Sequence, residues 1–368
     1  MTFDVAKKLV DSLDLNLNDE PLGTPHFADK NIKSFPLTSE RFRGIEAIDS
    51  DRKAAFIDGG NQEIVGAPNF SIQLNRVCFG IWQGNEKIVE SCLPKRTDFL
   101  SATSAVFQNQ EIYFETTIFP FDENGIAVPP DTDLSFNSMH SSLKALGNQR
   151  ADIHRMPSIA RRFSELLLAK GVVEQELSSG DLLVIDGTLQ AVFPGENKYM
   201  RSLSQIAETN GVIVSGFSKT STLLTDTGLS LIGALEQLAS MTGISEEWYY
   251  PLAESARTRH GAVIFAVKLN SLSERIFRFE IQRDQIESLS ETEVNEIFTL
   301  LVKNAGDLTL PGYPYGLLDV DRCARVSSYD VDYYYSIICS LMADQGKWDK
   351  FNRNIKAADV HQLINRLG

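Results

Sequence analysis

The sequence predicts an α/β fold in which a mixed sheet is flanked by helices. Two apolar runs of strand length, at 54–58 and 182–186, each end in aspartate followed by glycine. Apolar runs bounded in this way are typical of strands buried on both faces. Strand-like and helical segments surround them without the regular alternation of a doubly wound sheet. We therefore expect a mixed sheet with helices on its faces and a helical C-terminal part.

The N-terminal third is predicted to be mostly β-structure. Residues 1–52 are polar and contain several prolines, so we expect a short helix over 3–13 followed by an extended arm. An antiparallel meander then follows, with predicted strands at 53–58, 70–82, 86–93 and 110–119. Prolines and acidic residues indicate a loop over 122–134.

The remainder is predicted to alternate strands with helices and to end in helices. The expected helices are 135–147, 157–171, 228–242, 291–303, 316–326, 328–345 and 356–366. The expected strands are 181–186, 211–217, 262–269 and 275–282, the last two forming a hairpin. These segments divide the chain into an arm over 1–52, one large domain over 53–345 and a C-terminal helix over 346–368.

Composition limits the possible partners. Apolar residues make up 43% of the 368 residues, which is enough for a substantial core. The 35 basic and 49 acidic residues give a net charge of −14, which argues against a large nonspecific DNA-binding surface but leaves room for a local basic groove. No G-x-G-x-x-G or G-x-x-x-x-G-K-[ST] motif occurs, so a dinucleotide site or P-loop has no support.

Cysteine usage and hydropathy predict a cytoplasmic protein. The four cysteines contain no C-x-x-C pair, which argues against a zinc site and against a disulfide framework: Cys78, Cys92, Cys323 and Cys339. The first residues lack a signal-peptide pattern, and no stretch approaches the roughly 20 apolar residues that span a bilayer. We therefore expect reduced cysteines, no membrane partner and a cytoplasmic location.

Asp58 and Asp186 are the strongest candidates for a functional site. Each follows a predicted buried strand, and open α/β sheets bind ligands at the carboxyl ends of their strands. Two carboxylates over one crevice resist ionising together unless a cation or proton intervenes. A divalent metal ion would resolve this, and phosphodiester hydrolysis is its usual chemistry. The alternative is that each aspartate caps a turn, because Asp-Gly is a common turn dipeptide.

A third acid is expected from the helix that begins at Pro157. Glu165 lies outside the apolar stripe of this helix, on the side that carries Arg161 and Arg162. The site hypothesis makes Glu165 a metal ligand and the two arginines phosphate contacts. The alternative is a solvated ion pair worth about 0.3–0.5 kcal/mol. Glu115, on a predicted strand, competes for the same role.

Basic and aromatic residues supply further candidates. Lys219 directly follows a predicted buried strand, where a lysine can neutralise a phosphate or orient an attacking water; a solvent-exposed helix lysine is the alternative. Three residues before the hairpin are candidates for lining a DNA path: Arg257, Arg259 and His260. Tyr313 could stack a base and Asp321 could add a late ligand, unless this segment is a rigid loop packed on the core.

Taken together, these motifs resemble the NurA family of nucleases. The matching elements, in family order, are Asp58 within 56–59, Asp186 within 184–187, and the stretches 216–221, 278–280 and 312–315. The resemblance covers about 53–326. It implies an RNase H-like core and a manganese-dependent (or magnesium-dependent) nuclease with 5′→3′ exonuclease and single-strand endonuclease activity on DNA. It also implies a homodimer that docks on a hexameric HerA-type ATPase for DNA end resection.

The resemblance also assigns roles to residues. Asp58, Asp186 and Glu165 would be metal-binding acids, Lys219 would match the family lysine and Tyr313 the aromatic residue before proline. Asp321 occupies the position where the family commonly has histidine. A carboxylate can bind a second metal, but it cannot act as an imidazolium acid at neutral pH. We expect two-metal hydrolysis with Asp58 bridging the metals; a catalytically impaired adaptor of a motor ATPase and an RNA-cleaving enzyme are the alternatives.

Overall fold

The structure is a computed structural model that describes residues 2–16, 21–122, 127–144, 150–219, 221–255 and 261–355. The strands are β1 (Pro25–His26), β2 (Ile32–Ser34), β3 (Arg43–Gly44), β4 (Lys53–Ala67), β5 (Phe70–Gln83), β6 (Glu86–Ile88), β7 (Arg96–Gln108), β8 (Glu111–Pro120), β9 (Ser135–Asn137), β10 (Leu182–Asp186), β11 (Ile213–Ser218), β12 (Leu224–Thr225), β13 (Trp248–Ser255), β14 (Ala262–Lys268) and β15 (Phe277–Gln282). The helices are α1 (Thr2–Asn16), α2 (Met156–Gln175), α3 (Glu196–Asn210), α4 (Leu231–Thr242), α5 (Arg283–Ser288), α6 (Glu291–Lys303), α7 (Tyr315–Ala324), α8 (Ser328–Asp344) and α9 (Trp348–Ile355). Short 3₁₀ helices cover Ser39–Arg41, Asp131–Asp133 and Ile153–Arg155.

Thirteen of these strands form one sheet in the order β2-β13-β14-β15-β11-β10-β4-β5-β7-β8-β9, with β3 beside β13 and β6 beside β5. The strands β1 and β12 form a separate antiparallel pair. Because β10 neighbours β4 although five strands, two 3₁₀ helices and helix α2 lie between them in the sequence, the sheet is not a simple meander. The predicted α/β class, a mixed sheet flanked by helices with a helical C-terminal part, is confirmed. Its RNase H-like character stays a prediction.

Residue contacts group the chain into two compact units. The first unit contains Met1–Arg52, Val184–Leu189 and Ile213–Tyr315, and the second unit contains Lys53–Leu183, Gln190–Val212 and Gly316–Gly368. The sequence division at residue 52 is a prediction that these groupings do not test.

The second unit is built on the antiparallel strands β4, β5, β7 and β8, with helix α2 packed against β4 and β5. The apolar stripe predicted for this helix is buried, including Ile159, Phe163 and Leu166. Phe163 stacks on Tyr199 of α3 with ring centroids 4.5 Å apart. These contacts fix the helix that carries Glu165 over the sheet.

The first unit is built on the antiparallel strands β13, β14, β15 and β11. On one side Trp248 and Tyr250 pack edge-on against Phe42, with centroids 4.9 and 4.8 Å apart. On α6, Phe298 stacks on Tyr249 at 4.0 Å. Fully buried aromatic rings also pack along β11 and β15, where Phe217 lies 6.2 Å from Phe279, centroid to centroid.

Several sequence predictions are corrected. Strand β4 continues to Ala67 rather than ending at residue 58, and Ser135–Asn137 forms a strand paired with β8 instead of beginning a helix. Helix α3 and strands β7 and β13 were not predicted. The polar sequence of α3 hides its buried side chains, among them Met200 and Leu203. Residues 145–149 and the helix predicted over 356–366 lie outside the described residues.

One cysteine pair also departs from expectation. Cys78 on β5 and Cys323 on α7 form a disulfide across a sequence separation of 245 residues, with their Cα atoms 6.2 Å apart. Cys92 is an exposed free thiol and Cys339 a half-buried one. The expectation that all four cysteines are reduced was therefore wrong for this pair. Among the described residues, no helix is both long and apolar enough to cross a membrane.

Candidate active site

Asp58 lies inside strand β4 rather than at its end. Its side chain is buried, and the backbone N–H of Gly59 donates a hydrogen bond of 2.7 Å to its Oδ1. The strand continues through Gly59 and Gly60, still paired with β5. Glycine is needed at both positions because other parts of the chain come too close for a side chain. A Cβ on Gly60 would lie 2.3 Å from the carbonyl oxygen of Ala324, and one on Gly59 would lie 2.5 Å from Glu165 Oε1. The glycines therefore mark close packing and not a turn.

Glu165 lies on the face of β4 to which residue 59 points. Side chains alternate between the two faces of a strand, so the Asp58 side chain points to the other face. The carboxylate is 3% exposed and is held by both arginines: Arg161 Nη1 contacts Oε1, and Arg162 Nη1 donates to Oε2 at 3.2 Å. The solvated ion pair considered as the alternative is therefore wrong, because this network is buried.

The two arginines have different surroundings. Arg161 donates to the Gly59 carbonyl oxygen at 2.9 Å and to Asn61 Oδ1 at 3.0 Å. Arg162 is buried, and its Nε donates to Glu196 Oε1 at 2.8 Å. Burial opposes the charge on Arg162, but the two carboxylates outweigh it and raise the pKa of its guanidinium above the ordinary value. Arg162 thus serves as a buried counter-ion for two glutamates, and its predicted phosphate contact stays a prediction.

The competing candidate, Glu115, lies on β8, which is the third strand from β4. Neighbouring strands are about 4.8 Å apart, which puts β8 about 14 Å from β4. Glu115 accepts a hydrogen bond of 2.6 Å from Gln108 Nε2 on the adjacent strand β7. Of the two glutamates, only Glu165 lies beside the strand that carries Asp58.

Asp321 lies on helix α7, which packs on the Asp58 side of β4. A Cβ on Gly316 of this helix would lie 1.9 Å from the ring of Phe56, which alternation places on the same face as Asp58. The disulfide from Cys323 to Cys78 joins the same helix to β5. The Asp321 side chain is half-buried. The second unit therefore brings two predicted metal ligands to one face of its sheet.

In the first unit, Asp186 is the last residue of β10 and Lys219 directly follows β11. Lys219 Nζ lies 2.7 Å from Asp186 Oδ2. The backbone N–H of Gly187 donates to the carbonyl oxygen of Phe217 at 2.8 Å, which ties the two strand ends together. Lys219 thus lies beside an acid at the end of its strand, and its predicted role toward a phosphate or a water stays a prediction.

A buried carboxylate that we did not assign to the site supports this loop. Glu280 of β15 is 1% exposed and accepts a hydrogen bond of 2.9 Å from the backbone N–H of Leu189. Arg278 Nη2 lies 2.7 Å from its other carboxylate oxygen. The sequence marked 278–280 as one of the stretches that resemble the family, but it assigned no role to Glu280.

Tyr313 is packed inside the first unit, which agrees with the alternative of a rigid loop packed on the core. Its ring is 4% exposed and lies 5.7 Å from the ring of Phe217 and 5.6 Å from that of Phe277, centroid to centroid. The three basic residues predicted before the hairpin, Arg257, Arg259 and His260, lie outside the described residues. Their contact with DNA stays a prediction.

Three of the predicted acids come together. Asp58, Asp186 and Asp321 each offer a carboxylate oxygen, and these three oxygens all lie within 4.8 Å of one another. Asp58 is buried and the other two are half-buried. Glu165 is not one of the three, because it is held on the opposite face of β4 by its arginines. A set of carboxylate oxygens suits a hard divalent cation such as Mg²⁺ or Mn²⁺, so these residues fit the metal that the sequence predicted.

Comparison with known families decides the identity. The NurA domain model matches residues 52–326, which is most of the chain. The chain belongs to the NurA family. The match extends from just before β4 to just after α7, so it includes all three clustered aspartates. As a NurA protein the chain is a nuclease, an enzyme that hydrolyses phosphodiester bonds.

Other comparisons show only distant likenesses. No curated protein matches the chain at the sequence level. The Ciona intestinalis endonuclease V in complex with inosine-containing DNA is 13% identical, with 74% of this chain and 84% of that chain covered and a TM-score of 0.36. Aquifex aeolicus Argonaute (8% identity, 75% and 28% covered, TM-score 0.27) and Drosophila Piwi (10%, 76% and 30%, TM-score 0.24) are also similar. The chain spans less than a third of the length of the last two.

Proposed function

We propose that this NurA protein is a metal-dependent deoxyribonuclease that works by a two-metal mechanism. The observation that carries the proposal is the cluster of Asp58, Asp186 and Asp321, whose carboxylate oxygens lie within 4.8 Å of one another. Three carboxylates at this distance repel one another strongly unless cations offset their charge. Mn²⁺ or Mg²⁺ bound there would supply the positive charge that stabilises the attacked phosphate and activates a water molecule.

The remaining residues position the substrate. We propose that Lys219, next to Asp186, neutralises a non-bridging phosphate oxygen and orients the attacking water. Glu165 holds Arg161 and Arg162 in place, and it joins the metal ligands only if the arginines release it. Arg161 is half-buried beside the backbone of β4 and is the better placed of the two for a DNA phosphate. With Asp321 in place of histidine, the leaving oxygen takes its proton from water.

Family membership also supports finer proposals. We propose 5′→3′ exonuclease and single-strand endonuclease activity, a homodimer, a hexameric HerA-type ATPase as partner and a cytoplasmic location. The predicted DNA contacts are Arg161, Arg162, Arg257, Arg259, His260 and Tyr313. The packing of Tyr313 against two phenylalanines favours the alternative of a rigid packed loop over base stacking.

The test is cleavage of labelled single- and double-stranded DNA by the purified protein with Mn²⁺, Mg²⁺ or a chelator. We expect cleavage that requires the metal, and we expect it to be lost in Asp58→Asn and in Asp186→Asn. These variants keep the size of the side chain while removing its charge. Asp284→Asn, an exposed aspartate in the first turn of α5, is the matched control and should cleave normally.

Other outcomes separate the alternatives. If the Asp58→Asn and Asp186→Asn double variant cleaves DNA as the wild type does, the proposed site is wrong. If the wild type shows no metal-dependent cleavage, the adaptor alternative motivated by Asp321 replaces the enzyme. A competition between DNA and RNA of the same sequence decides the substrate, and preferential RNA cleavage would overturn the assignment to DNA.

A further inference from the structure

The Cys78–Cys323 disulfide lies next to two of the clustered acids. In the antiparallel pairing of β4 with β5, Cys78 is directly opposite Asp58. Directly opposite residues point to the same face, with Cβ atoms about 4.5–5.5 Å apart. Cys323 follows Asp321 by two positions on α7. The bond therefore joins the strand that borders Asp58 to the helix that carries Asp321.

The geometry of helix α7 allows the disulfide at Cys323 to position Asp321. Residues two apart on a helix point in different directions, so Cys323 can anchor the helix while Asp321 remains directed elsewhere. The Asp321 carboxylate accordingly stays within 4.8 Å of Asp58 and Asp186 oxygens. The disulfide thus restrains the helix close to Asp321 and leaves the carboxylate directed at the other two acids.

Further contacts hold α7 on either side of Asp321. Near the start of the helix, Gly316 packs on Phe56, and at its middle Lys87 Nζ lies 2.6 Å from Asp319 Oδ2. Beyond its end, Arg76 Nη1 donates to the carbonyl oxygen of Arg325 at 2.7 Å. The side chains of Lys87 and Asp319 are 40% and 35% exposed, so their ion pair restrains the helix weakly. The disulfide, by contrast, is a covalent restraint on α7 two positions from Asp321.

We propose that the Cys78–Cys323 disulfide is a positioning element for Asp321, so that the redox state of these cysteines sets how tightly the acidic cluster holds a divalent metal ion. This inference rests on the proposed function. Reduction by a dithiol breaks the S–S bond and gives two thiols, while the dithiol loses two electrons and two protons and becomes a disulfide. The metal ligands themselves are unchanged.

The experiment compares Mn²⁺ binding by oxidised and reduced protein, measured by electron paramagnetic resonance at a temperature far below unfolding. The full chain carries Cys92→Ser and Cys339→Ser, so that only the proposed pair can react. Reduction uses dithiothreitol, which is removed by anaerobic gel filtration before the titration. We expect the Mn²⁺ dissociation constant to rise about 10-fold or more on reduction, the size typical of losing a group that orients a metal ligand. Cys323→Ser should bind Mn²⁺ as the reduced protein does.

Asp321→Asn distinguishes positioning from a general structural effect. In this variant, oxidised and reduced protein should bind Mn²⁺ equally weakly, because the ligand that the disulfide positions is already lost. An equal further loss on reduction in this variant would overturn the proposal, and so would unchanged Mn²⁺ binding by the reduced wild type. If Asp58→Asn weakens Mn²⁺ binding but reduction does not, the proposed function stands and only this inference fails. If no protein binds Mn²⁺, both fail.

Discussion

Lys219 and Asp186 form an ion pair in which Nζ lies 2.7 Å from Oδ2. They come from the ends of two strands of the first unit, and the hydrogen bond from Gly187 to Phe217 holds those ends together. A lysine in this position places a positive charge beside one of three clustered carboxylates. It offsets part of their repulsion.

Replacing Lys219 separates these two effects. In Lys219→Met, we expect DNA cleavage to fall about 100-fold or more, because a charge aimed at the phosphate is lost. We expect Mn²⁺ to bind at least as tightly, because a cation that competes for Asp186 is also lost. Cleavage assays and Mn²⁺ titrations measure the two. Lys198→Met, which removes an exposed lysine 2.6 Å from Asp133, is the matched control; weaker Mn²⁺ binding in Lys219→Met would contradict the prediction.

Glu280 should be important for stability as well as for the loop after Asp186. Glu280→Gln leaves Arg278 in a buried position without its counter-ion, and breaking a buried pair in this way costs about 3–5 kcal/mol. We expect urea denaturation to show a loss of that order in the free energy of unfolding. Glu174→Gln, which breaks the more exposed pair with Lys170 on α2, should cost less than about 1 kcal/mol. Similar losses in the two variants would refute the argument.

The contact of His154 with Glu63 predicts a dependence of stability on pH. Nδ1 lies 2.5 Å from Oε2, and this hydrogen bond raises the pKa of His154 above its ordinary value despite partial burial. Burial alone would raise the pKa of Glu63, but its hydrogen bonds with His154 and Ser71 lower it overall. The charged pair therefore stabilises the folded protein at pH values between the pKa of folded Glu63 and that of folded His154. Its stability is lost as pH rises through the pKa of folded His154, and also as pH falls through that of folded Glu63.

The test of this prediction is urea denaturation of wild type and His154→Gln at pH 6 and pH 8.5. The variant should be more destabilised relative to wild type at pH 6, where His154 carries its charge. Glu63→Gln removes the same contact from the other side and should show the same dependence. If the variant loses the same free energy of unfolding relative to wild type at both pH values, a charged pair is ruled out.

Alanine substitutions at two helix glycines, Gly316 on α7 and Gly233 on α4, should change stability in opposite directions because only Gly316 is closely packed. In Gly316→Ala the new methyl group would meet the ring of Phe56 at 1.9 Å, and we expect a loss of about 1–3 kcal/mol from overpacking. Gly233 on α4 has only Ser230 Cβ within reach, at 3.7 Å, so Gly233→Ala should stabilise the protein by up to about 1 kcal/mol. Thermal denaturation measures both. A stabilised Gly316→Ala protein would show that α7 does not pack on Phe56 this closely.

Local sequence signals predicted the parts of the site that depend on local structure. The apolar runs before Asp58 and Asp186 indicated buried strands, and the helical stripe indicated which face of α2 packs inward. The family position indicated Asp321. Each of these signals lies within a few residues of the side chain that it concerns.

Structural features that depend on contacts between distant parts of the chain were missed or misjudged. The glycines after Asp58 suggested a turn, but they are required by the approach of Glu165 and of Ala324, which lie far along the chain. The same reason hid the Cys78–Cys323 pair, because spacing between cysteines carries no information about a partner 245 residues away. The burial of Glu165 also could not be predicted, since it depends on how Arg162 and Glu196 meet across two helices.

The 245-residue separation between Cys78 and Cys323 has a consequence for biosynthesis. Chains leave the ribosome from the N-terminus, so Cys78 emerges long before its partner and waits as a free thiol while most of the protein is translated. An earlier bond to Cys92 would trap the nascent polypeptide in a wrong arrangement. Late oxidation, after the segment carrying Cys323 has docked, would therefore mark completed molecules and distinguish them from unfinished ones.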